Sequence, residues 1–335
     1  MKRRRHVIIA FMRTPRSLNR IVFLDAGTLD FGDLSLSPLR AFGGFRAYTA
    51  TSASMTAQRI KFAEQVVVNK CILSRSHIES AERLKAIHVA ATGVNNIDLQ
   101  AARERGITVT NAAGYSTESV VQLTFSFLLA MAVNLVKYDS ALKRGLWSRS
   151  RFFMWPGFPV REIFGKTLGI IGCGRIGRRV AETARAFGLS VLIAKIPGRS
   201  YPGEKGRVSL DRVLRESDFL TIHTPLTELT RGLIGGRELR KMKPGSVLMN
   251  MARGGIVDET ELLKALKSGR LAGAATDVLV HEPPRKTEPL LKHPNLLAMP
   301  HMGWASLESR RRLLQEIVFN IRAFQSGKKR NCIVS

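Results

Sequence analysis

The sequence predicts an α/β protein with two domains, each built on a parallel sheet flanked by helices. Short apolar strands alternate with helical segments along the chain, which is the βαβ pattern of a parallel sheet. The alternation occurs in two series, and a glycine-rich turn follows the first strand of the second series. A length of 335 residues is typical of about two domains.

The first series predicts an N-terminal βα domain followed by a long helix. Predicted strands cover residues 20–25, 66–68, 88–91 and 107–110, and predicted helices cover 80–86 and 99–105. One helix is predicted over residues 120–144. Its apolar part, 120–136, contains polar residues and is too short to span a bilayer, so we expect a buried helix.

The second series predicts a parallel sheet of its own. Its six strands cover residues 167–171, 190–194, 219–222, 246–250, 273–277 and 296–298. A final helix over 307–325 is expected to cross back to the first domain. The sequence therefore predicts one domain from residues 20–118 with 307–335, a second from 119–306, and an unstructured basic extension over 1–19. We expect a ligand in the cleft between the two domains.

The glycine-rich turn at residues 169–177 predicts a dinucleotide site. Gly172, Gly174 and Gly177 have the spacing G-x-G-x-x-G between a strand and a helix. The first glycine permits the tight turn, the second lets the backbone approach a pyrophosphate, and the third allows the helix to pack on the strand. The N-terminus of that helix also attracts phosphate. A tight turn without a ligand is the alternative, but the strand–turn–helix–strand context favours a dinucleotide.

The net charge of +27 raises nucleic-acid binding as a possibility. Lysine and arginine are dispersed, however, and the clusters at residues 2–5, 310–312 and 328–330 are short. Dispersed charge affects solubility more than specific function, so we expect neither a specific nucleic-acid partner nor a membrane partner. No clear signal peptide is present, which predicts a cytoplasmic protein. The three scattered cysteines indicate no disulfide framework and no metal site.

Residues 145–159 are unusually rich in aromatic side chains, from Trp147 to Phe158. Such a loop either packs against a partner subunit or covers a pocket. Because Trp and Phe are enriched in interface cores, we expect the first, in a homodimer.

Three polar patterns follow late strands of the second series, at the sheet edge where open α/β proteins bind ligands. They contain Arg253, Glu282 and His301. An arginine binds a carboxylate through two parallel hydrogen bonds, a histidine transfers a proton near neutral pH, and a glutamate orients that histidine. Each of these residues alone is more often an ordinary loop side chain. Beside a dinucleotide motif, the three together predict catalysis.

With these motifs the chain resembles the D-isomer-specific 2-hydroxyacid dehydrogenases, most closely their glycerate dehydrogenase and hydroxypyruvate reductase branch. The resemblance extends over about residues 20–325. It implies a substrate-binding, flavodoxin-like first domain, an NAD(P)-binding Rossmann second domain, an active site in the cleft between them, and a homodimer. The segments that carry it, in this order, are 91–98, 114–120, 165–177, 250–258, 277–283 and 300–306.

The resemblance also implies a role for each candidate residue. His301 is the acid/base group, Glu282 is its partner, and Arg253 anchors the substrate carboxylate and carbonyl. Backbone amides around Thr92 and Gly93 form a second carboxylate site. The residues expected at the cofactor are Gly172, Gly174, Arg175, Ile176, Gly177, Lys195, Arg199, Thr224 and Pro225 on the adenosine and ribose side, Ala252, and Asp277 at the nicotinamide carboxamide.

Lys195 is a clear departure from the family pattern. The family commonly has Asp or Glu at this strand end, where the carboxylate accepts hydrogen bonds from the ribose 2′-hydroxyl. A cation eighteen residues after Gly177 instead favours a 2′-phosphate, with help from Arg199 and Arg175. We therefore expect NADP(H) to be preferred over NAD(H). A lysine that points to solvent, with NAD still used, is the alternative.

Two classes of function follow from these observations. The first is an oxidoreductase that reduces a small 2-keto acid, with hydroxypyruvate or glyoxylate as first choice, using a nicotinamide cofactor. The second is a non-enzymatic dinucleotide sensor or scaffold similar to the C-terminal-binding-protein corepressors. The complete set of Arg253, Glu282 and His301 favours the enzyme.

Overall fold

The computed structural model describes residues 21–202 and 206–335, which pack into two compact units. The first unit consists of the described part of Met1–Tyr115 together with Arg310–Ser335, and the second is Ser116–Ser309. The extension predicted at residues 1–19 lies outside the described residues.

The first unit is built on a six-stranded sheet in the order β13-β5-β4-β3-β1-β2. The β13–β5 pair is antiparallel and the other pairs are parallel, so strands β1 to β5 have the flavodoxin-like order 2-1-3-4-5. Both central strands, β3 and β4, are buried along their whole length, as expected where helices cover both faces. The strands are β1 (Ile21–Phe23), β2 (Phe45–Ala47), β3 (Gln65–Val68), β4 (Ala86–Val89), β5 (Thr108–Thr110) and β13 (Cys332–Val334).

Among the described residues, five α-helices accompany this sheet, and the last of them returns from the end of the second unit. From Arg310 onward this helix belongs to the first unit. The buried Arg310 guanidinium makes two parallel bonds of 2.6 Å to the Asp33 carboxylate, which ties the helix to the segment after β1. The helices are α1 (Ser37–Arg40), α2 (Ala53–Ile60), α3 (Arg75–Ser80), α4 (Leu99–Glu104) and α11 (Leu307–Gln325).

The second unit contains a seven-stranded parallel sheet in the order β12-β11-β10-β9-β6-β7-β8. The strand order reverses between β6 and β9, which is the topological switch point of a Rossmann sheet and the place where such sheets bind ligands. The strands are β6 (Thr167–Ile171), β7 (Ser190–Lys195), β8 (Arg207–Ser209), β9 (Phe219–Ile222), β10 (Ser246–Asn250), β11 (Leu271–Thr276) and β12 (Leu296–Ala298).

Helices cover both faces of the second sheet. In β6, Leu168 and Ile170 point into one hydrophobic cluster and Ile171 into the other, because successive side chains of a strand alternate between faces. This double burial explains why the strands appear in the sequence as continuous apolar runs. The helices are α5 (Thr117–Ala132), α6 (Leu135–Lys143), α7 (Arg175–Ala186), α8 (Leu210–Glu216), α9 (Gly236–Lys241) and α10 (Glu259–Lys267).

The predicted fold class is confirmed, but the single helix predicted over residues 120–144 is wrong. The structure has two helices there, α5 and α6, bent by 60°. Asn134 lies at the break with φ 52°, in the left-handed region that asparagine tolerates better than most residues. Its side-chain amide donates to the Pro159 carbonyl at 2.7 Å. The apolar pattern over residues 120–144 gives no sign of this bond to a residue 25 positions later.

The helix predicted over residues 80–86 is also wrong, because α3 lies earlier, at Arg75–Ser80. The Arg105 side chain donates to the carbonyls of Ile78, Glu79 and Ala81 and so completes the helix end. The next residues turn away, since the N–H of Glu82 donates to the Lys61 carbonyl rather than within a helix.

Strands β2, β8 and β13 were absent from the sequence prediction. Each has three residues and each forms one edge of its sheet. A short edge strand is partly solvated and needs no apolar run, which is why β8, Arg-Val-Ser, carries little signal.

The aromatic segment after α6 exposes several of its large side chains. Phe152 is 67 % exposed and Phe153 is 89 % exposed, whereas Tyr138, Trp155 and Phe158 pack edge to face. Within residues 21–202 and 206–335, no single helix has both the length and the apolar composition of a membrane span. By these two measures only the bent pair α5 and α6 qualifies.

Candidate active site

The three polar segments predicted to carry chemistry follow three neighbouring strands. Strands β10, β11 and β12 are adjacent and parallel, so their carboxyl ends lie at one edge of the second sheet. Arg253 follows β10, Asp277 and Glu282 follow β11, and His301 follows β12. The structure therefore brings the predicted catalytic side chains to the same edge, within one unit.

Asn250, the last residue of β10, shapes the segment that carries Arg253. Its side-chain amide donates to the Arg253 carbonyl at 2.9 Å, and its oxygen accepts the Ala252 N–H at 3.1 Å. The Arg253 guanidinium donates to the Ala252 carbonyl at 2.7 Å and remains partly exposed. A guanidinium has five N–H donors in a planar fork, so this bond leaves the fork able to meet a carboxylate.

Gly254 lets the Arg253 segment touch the segment that carries Glu282. A Cβ at this position would lie 2.0 Å from the Leu279 carbonyl oxygen and 2.5 Å from the Val280 nitrogen. Any larger residue would therefore push the two segments apart. The Leu279 N–H in turn donates to Glu282 Oε1 at 2.9 Å, which fixes one oxygen of that carboxylate.

His301 and Glu282 form a close pair. The distance between His301 Nδ1 and Glu282 Oε2 is 2.6 Å, and the two side chains are 21 % and 36 % exposed. A carboxylate accepts only, so Nδ1 carries the proton and Nε2 is left as the nitrogen that can meet a substrate. This partial exposure allows a small molecule to reach the ring.

The backbone of His301 is held in an unusual conformation. Its φ is 57°, which is uncommon for a residue other than glycine. The His301 N–H donates to the carbonyls of Asp277 and Met299 at 2.8 Å and 3.0 Å. Strained backbone of this kind persists where the surroundings determine it, and it clusters at functional sites.

Asp277 anchors the segment after His301. Its two carboxylate oxygens accept the N–H groups of Met302 and Gly303 at 2.7 Å and 2.8 Å. Burial raises the pKa of Asp277 to about 6, while these two hydrogen bonds oppose the shift. The structure thus assigns Asp277 a supporting contact to the His301 segment. Its expected contact with the nicotinamide carboxamide stays a prediction.

The glycine turn adopts the geometry that its spacing predicts. Gly172 has φ 93°, and a Cβ there would lie 2.6 Å from the His223 carbonyl. A Cβ on Gly177 would lie 2.1 Å from the Gly172 oxygen, so α7 packs directly on the turn. Gly174 has nothing within 4 Å of its missing Cβ, which leaves open space at the N-terminus of α7.

The family model for the D-isomer specific 2-hydroxyacid dehydrogenase NAD-binding domain matches residues 125–303. A glycerate dehydrogenase from Methylorubrum extorquens is 37 % identical over 320 residues, covering 94 % of this chain and 98 % of the relative. The chain belongs to the D-isomer-specific 2-hydroxyacid dehydrogenase family. A hydroxypyruvate reductase from Blautia hydrogenotrophica is 34 % identical, with 94 % and 99 % coverage. The crystal structure of a D-lactate dehydrogenase from Aquifex aeolicus, complexed with NAD and lactic acid, is 30 % identical with a TM-score of 0.81, covering 94 % of this chain and 99 % of that one.

The nicotinamide dinucleotide of a D-2-hydroxyacid dehydrogenase fits the switch point of the second sheet. Two buried polar atoms next to the glycine turn, Thr224 Oγ1 and His223 Nδ1, have no hydrogen-bond partner among the described residues. Burial lowers the pKa of His223 to about 3, so its ring is neutral. Buried polar groups rarely stay unsatisfied, and the hydroxyl and phosphate groups of a dinucleotide would supply partners here.

Two of the three residues predicted to bind a 2′-phosphate, Lys195 and Arg175, lie at or just after the carboxyl ends of two neighbouring strands. Lys195 ends β7, which pairs with β6, so its position and the glycine turn share one sheet edge. Arg175 is the first residue of α7. Lys195, Arg175 and Arg199 are all exposed, and the Arg199 guanidinium lies 5.4 Å from the Tyr201 ring centroid.

Thr92 and Gly93 belong to the first unit, just beyond the carboxyl end of β4. The Thr92 hydroxyl donates to the Ala112 carbonyl at 3.0 Å, and the Thr92 carbonyl accepts from the Asn111 side chain at 2.8 Å. These bonds fix the segment, and its expected role in carboxylate binding stays a prediction.

Two supporting carboxylates were missed by the sequence analysis. Glu259 Oε1 accepts the Val280 N–H at 2.7 Å, and burial raises the pKa of Glu259. In the first unit, the buried Asp25 carboxylate accepts the N–H groups of Asn69, Lys70 and Cys71 after β3. An acid in the first turn of a helix, such as Glu259, is common, so no sequence signal marked it.

Proposed function

We propose that this D-2-hydroxyacid dehydrogenase reduces a small 2-keto acid, with hydroxypyruvate or glyoxylate as first choice, to the D-2-hydroxy acid using NAD(P)H. The observation that carries the proposal is the 2.6 Å His301–Glu282 pair at the sheet edge that also presents Arg253. A glycerate dehydrogenase and a hydroxypyruvate reductase among the relatives support the choice of substrate.

In this proposal His301 Nε2 donates a proton to the carbonyl oxygen of the keto acid. Glu282 holds the ring through Nδ1, so that the proton to be transferred lies on Nε2. Arg253 binds the substrate carboxylate and polarises the carbonyl, because a guanidinium offers two parallel donors. The bound nicotinamide supplies the hydride for the keto carbon. Proton and hydride together convert the keto group to a secondary alcohol.

Preference for NADP(H) over NAD(H) is the finer part of the proposal. Among the described residues, no carboxylate forms an ion pair with Lys195, and its side chain is exposed at the end of β7, where an acidic residue would recognise the 2′-hydroxyl. A 2′-phosphate beside Lys195 would gain a charge-assisted bond instead of repulsion. Arg175 and Arg199 would add to the same positive field.

We also propose a homodimer that covers the aromatic segment over residues 147–158. The exposed Phe152 and Phe153 support it, together with Leu135 and Val136 of α6, which are 58 % and 53 % exposed. Large apolar side chains this exposed favour burial against a partner, because monomers rarely expose extensive apolar surface.

A panel of keto acids of increasing size tests the proposed function. The protein is mixed with NADPH or NADH, and the loss of reduced cofactor is followed by absorbance with glyoxylate, hydroxypyruvate and larger keto acids. Turnover is expected with the small substrates. Cofactor binding without turnover of any short 2-keto acid would contradict the enzyme and favour a dinucleotide sensor.

A further inference from the structure

The first unit contains a cavity of about 410 Å³ that no part of the proposed reaction uses. It lies between α2 and the face of the sheet at β1 and its edge strand β2. Arg46 lies in β2, Tyr48 follows it, and the two share a face because residues two apart in a strand do. The residues that form the cavity wall include Arg46, Tyr48, Met55, Gln58, Arg59 and Phe62.

Two guanidinium groups converge on one aromatic ring in this cavity. The Arg59 guanidinium carbon lies 3.8 Å from the centroid of the Tyr48 ring, and that of Arg46 lies 5.0 Å from it. Cation–π attraction stabilises each guanidinium against the ring but does not neutralise its charge. Among the described residues, no carboxylate forms an ion pair with either arginine, so the cavity wall carries two uncompensated positive charges.

Arg59 also has an unsatisfied donor. Its Nη1 donates to the Ala50 carbonyl at 2.6 Å and to the Thr51 hydroxyl, which fixes the guanidinium. Its Nε is buried and has no hydrogen-bond partner among the described residues. A buried N–H of a charged group without an acceptor is costly, so the surroundings compensate the positive charge of Arg59 only in part.

The cavity wall also contains exposed apolar side chains. Met55, in α2 with Arg59, is 37 % exposed, and Phe62, which follows α2, is 46 % exposed. A volume of this size exceeds what a bare inorganic ion fills and falls in the range of small-molecule sites. The cavity wall therefore combines two positively charged guanidinium groups with apolar side chains.

We propose that this cavity binds a small organic phosphate monoester. Its phosphate pairs with Arg46 and Arg59, and its apolar or aromatic part packs against Phe62 and Met55. A phosphate dianion matches two guanidinium charges, which a single carboxylate does not. The site is distinct from the glycine turn and from His301, both of which belong to the second unit.

Isothermal titration calorimetry with phenyl phosphate, inorganic phosphate and benzoate tests the proposal on the full chain. Phenyl phosphate is expected to bind one site per chain, tighter than inorganic phosphate because of the apolar wall. Benzoate is expected to bind at least tenfold more weakly than phenyl phosphate. Equal affinity for benzoate and phenyl phosphate, or no saturable binding of phenyl phosphate, would overturn it.

Variants assign the binding to this cavity. Arg46→Gln and Arg59→Gln are each expected to weaken phenyl phosphate binding at least tenfold, and the Arg46 variant is expected to stay folded because this side chain is exposed. Arg103→Gln, at an exposed residue of α4, is the matched charge control, and Lys195→Ala removes a cation at the predicted cofactor phosphate. Both controls are expected to bind like wild type. Unchanged binding in Arg46→Gln with weakened binding in Lys195→Ala would place the ligand at the cofactor site and refute the proposal.

Discussion

Replacing Glu282 by Gln tests whether this residue acts through His301. The carboxylate has two acceptor oxygens, one for His301 Nδ1 at 2.6 Å and one for the Leu279 N–H at 2.9 Å. An amide of the same shape has a single acceptor oxygen and no charge. The variant therefore either loses one of the two bonds or donates its amide N–H to Nδ1, which imposes the opposite imidazole tautomer, and in both cases the His301 ring loses its charged partner.

The expected loss follows from the geometry of the pair. A hydrogen bond to a charged group contributes about 1.5–3 kcal/mol, and the partial exposure of both side chains favours the lower end of that range. At 1.36 kcal/mol for each factor of ten, about 2 kcal/mol corresponds to roughly a 30-fold lower kcat. Cofactor affinity should stay within about twofold, because the glycine turn is not altered.

A double-mutant cycle with His301→Ala makes this test specific. Steady-state kcat with hydroxypyruvate is measured for wild type, Glu282→Gln, His301→Ala and the double variant. If Glu282 works by orienting His301, the glutamine change has little further effect once the imidazole is gone. Two losses that multiply in the double variant would refute the positioning role.

Four further predictions concern other parts of the molecule. Arg253→Lys should raise KM and lower kcat together by tenfold or more, because an ammonium cannot make two parallel bonds; wild-type kinetics would contradict this geometry. Lys195→Asp should shift kcat/KM from NADPH toward NADH, and wild-type NADH preference would refute the phosphate site. Phe153→Asp should weaken the proposed dimer in sedimentation at micromolar concentration, and an unchanged sedimentation coefficient would remove this segment from the interface. Burial lowers the pKa of His88 to about 3, so the unfolded chain gains a proton below pH about 6.5 that the folded chain does not. The contribution of His88 to the free energy of unfolding is then fully present above that pH and falls toward pH 3. Between pH 6.5 and 5 the loss is about 2 kcal/mol for one such group. In His88→Gln the unfolding temperature should fall less steeply as the pH is lowered from 6.5 to 5. An unchanged dependence on pH would contradict the lowered pKa of His88 as its cause.

The sequence predicted those elements whose signal is local. Strands such as β6 and β9 appeared as apolar runs, since helices bury them on both faces, and their predicted bounds are confirmed. Arg253, Glu282 and His301 could be placed together because the carboxyl ends of neighbouring parallel strands meet at one edge. Catalytic residues that follow parallel strands can thus be predicted from the sequence once the alternation of strands and helices is recognised.

Features that depend on distant contacts were not predictable. The break at Asn134 depends on a bond to the Pro159 carbonyl, and the end of α3 depends on the Arg105 side chain. Glu259 supports the Glu282 segment from a helix that begins about twenty residues earlier in the chain. The cavity between α2 and β2 required both the short edge strand and the stacking on Tyr48, neither of which has a sequence signature.

The most direct test of the central claim is turnover of hydroxypyruvate with NADPH by wild type and by His301→Ala, with cofactor binding measured for both. Proton transfer by a positioned side chain contributes about 10²–10⁴-fold, so the variant should lose that much in kcat while it still binds cofactor. The wild-type product should be the D-2-hydroxy acid. A variant with near-normal kcat, or a wild type that binds NADPH and turns over no short 2-keto acid, would contradict the account.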